Sequence, residues 1–254
     1  MDKRIGAQLY TLRDFCQTKE DFAQSMKKLQ EIGYQQVQIS GVGPIPAEEI
    51  KAVCDEYGLQ ISCTHRAMEN YENDLAGEIA FHKTLDCEIA GLGAMPGCFR
   101  ANGITKESVM EFIDRMNKIN DGLQQAGIIF AYHNHDFEFM KLDGKFVMDY
   151  IIEYGKFAFI VDVYWLSHAG LNPAEYIKRL GKRAICVHFK DLAVVDGQVV
   201  MAEVTEGNLD WDAIIQACRE AGVRWALVEQ DVCRRDPFES MAISYNALKE
   251  KGFN

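Results

Sequence analysis

Four short apolar runs in the sequence each lead to a residue able to ligate a metal ion. IIFAYHNH closes on His133 and His135, FAFIVDV carries Asp162, AICVHFKD carries His188, and WALVEQD carries Glu229. Imidazole and carboxylate groups gathered at one point would bind a divalent cation. From position 133 the steps run to 162, 188 and 229, each about what one strand, one helix and two loops consume. Residues at the same end of successive parallel strands converge in space although the sequence separates them. In a closed β/α barrel that end is the face where chemistry is done.

Each candidate also has a plainer explanation. A carboxylate on a buried strand must be paired or ligated, so Asp162 either ligates or forms an internal salt bridge. An arginine partner would equally satisfy Glu229. A lone His188 would read as a hydrogen-bonded core imidazole; what distinguishes it is the face it shares with three others. His133 and His135 are two apart and fall on the same side of a strand. Either one could ligate while the other touches substrate, and Asn134 points the other way. Lys190 lies on the same side as His188, where it could donate a proton, stabilise an oxyanion, or pair with Asp191 or Asp162. Gln8 and His65 sit in strand patterns and could bind substrate hydroxyls or fill the barrel as polar pairs. Glu138 in DFEF and Glu206 in TEGN are loop acids whose default is solvation. Trp165 and His168 follow Asp162 and could wall a pocket, since sugars stack on indole. Tyr10, Tyr71 and Phe99 read as core.

These residues need a frame, and the sequence alternates strand and helix patterns from end to end. Strand patterns fall at about 4–10, 36–40, 59–65, 88–95, 128–135, 157–163, 184–190 and 224–229. Between them, Lys19 to Ile32 puts Phe22, Met26 and Leu29 on one face and stops at Gly33. Thr105 to Ala126 opens on a Thr-x-x-Ser cap and ends at Gly127. Asp212 to Ala221 ends at Gly222, and Pro237 opens the last helix where proline is welcome. Eight such units without a linker predict an α/β chain forming a single (β/α)8 TIM barrel over residues 1–254, with an open doubly wound sheet as the alternative. The segment Gly91 to Gly97 has the wrong spacing for a dinucleotide fingerprint, and Pro96 interrupts where a helix should start.

Charge narrows the partners. With 27 basic against 38 acidic residues the net charge is −11, which opposes nucleic acid, because counterion release requires a basic face. A small neutral sugar or polyol suits this balance better. No apolar stretch is long enough to span a bilayer, and the eight cysteines lack any C-x-x-C pair. A cytoplasmic protein with reduced thiols, no membrane partner and a possible homo-oligomeric state is expected.

The chain resembles the xylose isomerase-like superfamily, the sugar phosphate isomerase/epimerase group. QLYTLRD, YHNHDFEF, DVYW followed by AG, VHFKDL, EGNLDW and VEQD are similar to that family's segments in its order. The resemblance implies one divalent metal, Mn, Mg, Co or Zn, held by ligands from strands five to eight. Carried over by position, these are His133, Asp162, His188 and Glu229. The ketose epimerases place a glutamate where this chain has His133, and many relatives have one where this chain has Gln38. The resemblance thus implies an isomerase or epimerase acting through an enediolate. Glu229 would be the base, and Lys190, His135 or Glu138 the proton donor. β-Elimination or hydration of a 3-keto-glycoside or keto-inositol is the alternative on the same site. An apurinic-site endonuclease and a non-catalytic sugar-binding barrel are more remote.

Overall fold

The computed structural model describes residues 2–97 and 103–254, so Cys98 and Phe99 lie outside the described residues. Eight short strands carry the frame: β1 Ile5–Gln8, β2 Gln36–Ile39, β3 Gln60–Thr64, β4 Ile89–Leu92, β5 Ile129–His133, β6 Ala158–Asp162, β7 Ala184–Phe189 and β8 Trp225–Val228. All neighbours are parallel, in the order β3-β2-β1-β8-β7-β6-β5-β4. The remaining seam, between β3 and β4, is drawn together by a parallel bridge between Arg66 and Leu92, with Arg66 N donating to Gly91 O at 2.9 Å. A side chain at Gly91 would collide with the Thr64 carbonyl oxygen, so glycine is what lets β4 approach β3. The fold is the expected (β/α)8 barrel.

Helices stand between the strands for local reasons. Thr18 accepts a hydrogen bond from Asp21 N at 3.1 Å and opens helix Lys19–Ile32, whose Phe22, Met26 and Leu29 are buried. Gly33 ends it at φ 121° against the Tyr245 ring. Thr105 and Ser108 form a reciprocal cap on helix Lys106–Gln125, which buries Val109, Phe112, Ile113, Met116, Ile119 and Leu123. The periodicity that marks these helices in the sequence is thus the stripe that packs on the barrel's outer wall.

Inside the barrel the side chains form layers. Cys63, Ile89, Ala131, Ile160, Cys186 and Leu227 make a small apolar cluster. Two residues further along each of these strands, on the same side, come His65, Gly91, His133, Asp162, His188 and Glu229. Hydrophobic burial thus fills the lower barrel, and polar groups are held at its C-terminal mouth.

Two hairpins were not anticipated. Lys141–Leu142 pairs with Lys145–Phe146, and Asp191–Val195 pairs with Gln198–Ala202. Each turns on an Asp-Gly pair with positive φ at both residues, Asp143-Gly144 and Asp196-Gly197, the geometry that suits two-residue hairpin loops. Among the described residues seven cysteines are free, and no helix is long and apolar enough to cross a membrane.

Candidate metal centre and substrate cavity

His133 ends β5, Asp162 ends β6, His188 lies in β7 opposite Asp162 in register, and Glu229 follows β8. One ligand atom from each of the four lies within 4.8 Å of the other three, and all four side chains are buried. Of the two histidines left open by spacing, His133 joins this cluster. The individual separations are 3.4 Å from His133 Nε2 to Asp162 Oδ2, 3.7 Å from His188 Nδ1 to Asp162 Oδ2, and 2.9 Å from His188 Nδ1 to Glu229 Oε2. Bond lengths of about 2.0–2.3 Å to a central ion require ligand-to-ligand edges of roughly 3–4 Å. These groups are therefore spaced as a coordination shell would space them.

The second polar atom of each side chain is tied elsewhere. His133 Nδ1 is 2.9 Å from the Gly93 carbonyl, which can only accept, so Nδ1 carries a proton and Nε2 is the ring atom turned towards the cluster. His188 Nε2 meets Gln38 Oε1 at 2.8 Å. Asp162 Oδ1 accepts from Trp165 N at 3.0 Å, capping the short helix Val163–His168. Glu229 Oε1 accepts from Gln8 Nε2 at 2.6 Å. Such partners fix ring tautomers and carboxylate orientation around metals. His188 Nδ1 is the telling atom: it is fully buried and, among the described residues, has no well-formed hydrogen bond, although Glu229 Oε2 is close. The donor set therefore fits a divalent ion.

Burial disfavours a charged His188, but the facing Glu229 and Asp162 carboxylates outweigh it and raise its pKa to about 9. Below that pH an ion must displace a proton from the imidazole. Affinity for Mn²⁺ should then rise about tenfold per pH unit between roughly pH 6 and 8, with release of about one proton. Calorimetry in buffers of different ionisation enthalpy reads both quantities. Affinity independent of pH over that range would show Nδ1 to be free already.

Lys190 lies at the centre of this charge. Its Nζ is 3.0 Å from Asp162 Oδ2, 3.0 Å from Glu229 Oε2 and 2.5 Å from Asp231 Oδ2, and it has no solvent exposure. Burial would favour neutral lysine, yet the three carboxylates hold its pKa above the ordinary range. Burial likewise opposes ionisation of Asp162 and Glu229, but Lys190 reverses the balance and keeps both below the usual carboxylate range.

A cavity of about 480 Å³ opens over the cluster, lined in part by Gln8, Tyr10, His65, Arg66, His133, His135, Glu229 and Asp231. Of the residues singled out in the sequence, Gln8, His65 and His135 thus line this cavity. Tyr10 is 38% exposed and lines this wall, which corrects its reading as core. Arg66 and Asp231, two and three residues beyond the ends of β3 and β8, also line this wall and are not among the candidates singled out in the sequence. Burial lowers the His135 pKa to about 3, so its ring is neutral, and its Nδ1 has no partner among the described residues.

The other expected residues lie away from this lining. Trp165 stands behind His135, ring to ring at 5.4 Å, and its indole nitrogen is buried with no partner among the described residues. His168 pairs with Asp136 at 3.0 Å, and Glu206 pairs with Arg235 at 3.2 Å. Glu138 is buried, not the solvated loop acid its setting suggests. It accepts from the Tyr132 hydroxyl and, at 2.8 Å, from His135 N. Burial raises its pKa to about 7.

Comparison with known proteins identifies the fold and the family. The family described as xylose isomerase-like TIM barrel matches residues 26–250. The rhizopine catabolism protein MocC of Rhizobium meliloti is 21% identical over 259 residues, covering 87% of this chain and 77% of the relative. A sugar phosphate isomerase/epimerase from Parabacteroides distasonis ATCC 8503 superposes with a TM-score of 0.84 at 21% identity, covering 100% of this chain and 96% of the other. A xylose isomerase-like TIM barrel protein from Mycobacterium smegmatis, in complex with magnesium, superposes with a TM-score of 0.73 at 16% identity, covering 98% and 97%.

Proposed function

The chain belongs to the xylose isomerase-like TIM barrel family, and on that premise we propose that it is a divalent-metal-dependent isomerase or epimerase of a small keto-sugar. The observation that carries this reading is the convergence of His133, Asp162, His188 and Glu229, each with its other polar atom anchored. Those four would hold one Mn, Mg, Co or Zn ion, and the magnesium of the M. smegmatis barrel supports the same assignment. A bound ion would supply Lewis-acid polarisation of a substrate carbonyl.

The protein's own groups do the rest. Glu229 lines the cavity and stays ionised, so it can take the proton beside the carbonyl. Its lowered pKa makes it a mild base, suited to a C–H already acidified. The enediolate that forms meets the Lys190 charge, which Asp231 at the cavity wall also holds and which stabilises negative charge without giving up its proton. Neutral His135 can donate a hydrogen bond to an oxyanion or return a proton through its unpartnered nitrogen. Glu138 serves by fixing the His135 backbone. Gln8 and His65 offer polar contacts to hydroxyls. The substrate is a small carbohydrate, the location is cytoplasmic, and residues 1–254 act as one domain.

One feature favours a second reading. The cluster holds two carboxylates and two imidazoles, so no symmetric pair of glutamate bases flanks the cavity. Abstraction by Glu229 followed by departure of a β-substituent, as in elimination from a 3-keto-glycoside or keto-inositol, needs only one such base. Incubation in D₂O with a panel of ketoses and keto-glycosides should show deuterium entering the carbon next to the carbonyl. Chelation should stop it and Mn²⁺ or Co²⁺ restore it better than Ca²⁺, which prefers six to eight oxygens. A labelled product that keeps every substituent of the substrate indicates isomerisation or epimerisation, and loss of a β-substituent indicates elimination. Full activity with no metal bound would end the proposal.

A further inference from the structure

We propose that Lys190 is a positioning residue that shares the carboxylates of the centre with a divalent ion, and that Asp231 receives its ammonium when the ion binds. The inference rests on the metal assignment above. Lys190 Nζ contacts Asp162 Oδ2 and Glu229 Oε2, the same two oxygens that face His133 Nε2 and His188 Nδ1. A monovalent and a divalent cation both held by these oxygens repel strongly in a buried site. One of them must yield, and the side chain is the one with a flexible stem.

The third partner shows where it can go. Asp231 is outside the four-residue cluster, its side chain is 23% exposed, and it lines the substrate cavity. Arg13 Nη1 donates to the Asp231 backbone oxygen at 3.1 Å, which holds the chain there while leaving the carboxylate to follow the lysine. The rings of Trp165 and Tyr164 stand 5.2 and 5.6 Å from Nζ, closing the other side with faces that attract a cation. Binding of the ion thus moves a positive charge from two ligands towards the cavity wall, where an oxyanion of the substrate would meet it. Without the ion, the same ammonium offsets the repulsion between Asp162 and Glu229. Lys190 in this way lowers the affinity for metal and ties metal loading to the charge presented to substrate.

Titration of the full-length chelated protein with Mn²⁺ in a calorimeter tests this through binding alone. Lys190→Met should tighten Mn²⁺ binding about tenfold or more, because the competing charge is gone. Asp231→Asn should weaken it about tenfold, because the displaced ammonium loses its acceptor. In the Lys190→Met background the same Asp231→Asn change should alter affinity by no more than about twofold, since contacting groups couple and independent ones add. An equal loss in both backgrounds would make Asp231 a simple contributor of negative charge and overturn the proposal, as would unchanged or weaker binding in Lys190→Met. If Lys190→Met folds only with Mn²⁺ present, the ion is replacing the ammonium, as the proposal requires. If it fails to fold with Mn²⁺ as well, the proposal fails. A wild-type chain that takes up no Mn²⁺ defeats the metal assignment together with this inference, whereas normal uptake with uncoupled variants defeats the inference alone.

Discussion

Glu229→Gln should cut solvent deuterium exchange into substrate about 10³-fold, within the usual 10²–10⁴ range for a positioned acid–base group. The carboxylate is held on both oxygens: Oε1 takes Gln8 Nε2 at 2.6 Å, and Oε2 faces Lys190 at 3.0 Å and His188 at 2.9 Å. An amide cannot serve both ends. With its oxygen towards the cluster, its NH₂ meets the NH₂ of Gln8, which cannot turn freely because Gln8 Oε1 accepts from Tyr10 N at 2.6 Å. Turned round, the amide places its protons against the Lys190 ammonium. The variant therefore loses a base and one good ligand together, and metal content must be measured alongside exchange. A variant that keeps metal and exchanges hydrogen at the wild-type rate would place the base elsewhere, with His135 next to test. His133, tied to Gly93 O, contributes no negative charge with which to compensate.

The frame, three of the cluster residues and a choice of two histidines for the fourth were legible because barrel strands expose a strict alternation. Ala131 and His133, Ile160 and Asp162, Cys186 and His188, and Leu227 and Glu229 repeat one pattern of apolar then polar on the inward face. What supports the cluster was not legible. Gln38 lies 150 residues from its partner His188, and Gly93 acts through its backbone oxygen, which leaves no trace in the sequence. The choice between His133 and His135 depends on where the chain leaves β5, which spacing does not encode. Glu138 misled because a loop acid is usually solvated; here the Tyr132 hydroxyl and a backbone N–H satisfy it beneath the loop. The two hairpins could have been found: Asp-Gly lies between KL and KF in one, and between AVV and QVV in the other, a strong local turn signal. Each hairpin stands in a gap between strand patterns, where strand–helix alternation by itself points to a helix.

The motif EGNLDW owes its place to Asp191, and Asp191→Asn should lower stability by about 3–5 kcal/mol, the scale for leaving several buried donors unpaired. Asp191 is fully buried and accepts from Leu192 N at 2.7 Å, Thr205 N at 3.0 Å, Gly207 N at 3.2 Å, Leu209 N at 3.2 Å and Trp211 Nε1 at 2.6 Å. A carboxylate can accept at both oxygens, whereas an amide presents protons to half of this ring. A side chain at Gly207 would strike the Asp191 carboxylate, so the glycine of the motif is there for close approach. Glu206 turns outward to Arg235. The loop is thus built around a structural acid, and Asp191 shares the end of β7 with Lys190 and His188 on alternate faces. At about 2–4 °C per kcal/mol for a chain of this size, the melting temperature should fall by roughly 10 °C. The loosened strand end should also weaken Mn²⁺ binding, since it carries the ligand His188. A melting temperature within about 2 °C of wild type would mean that the loop's backbone donors find water as readily as they find Asp191.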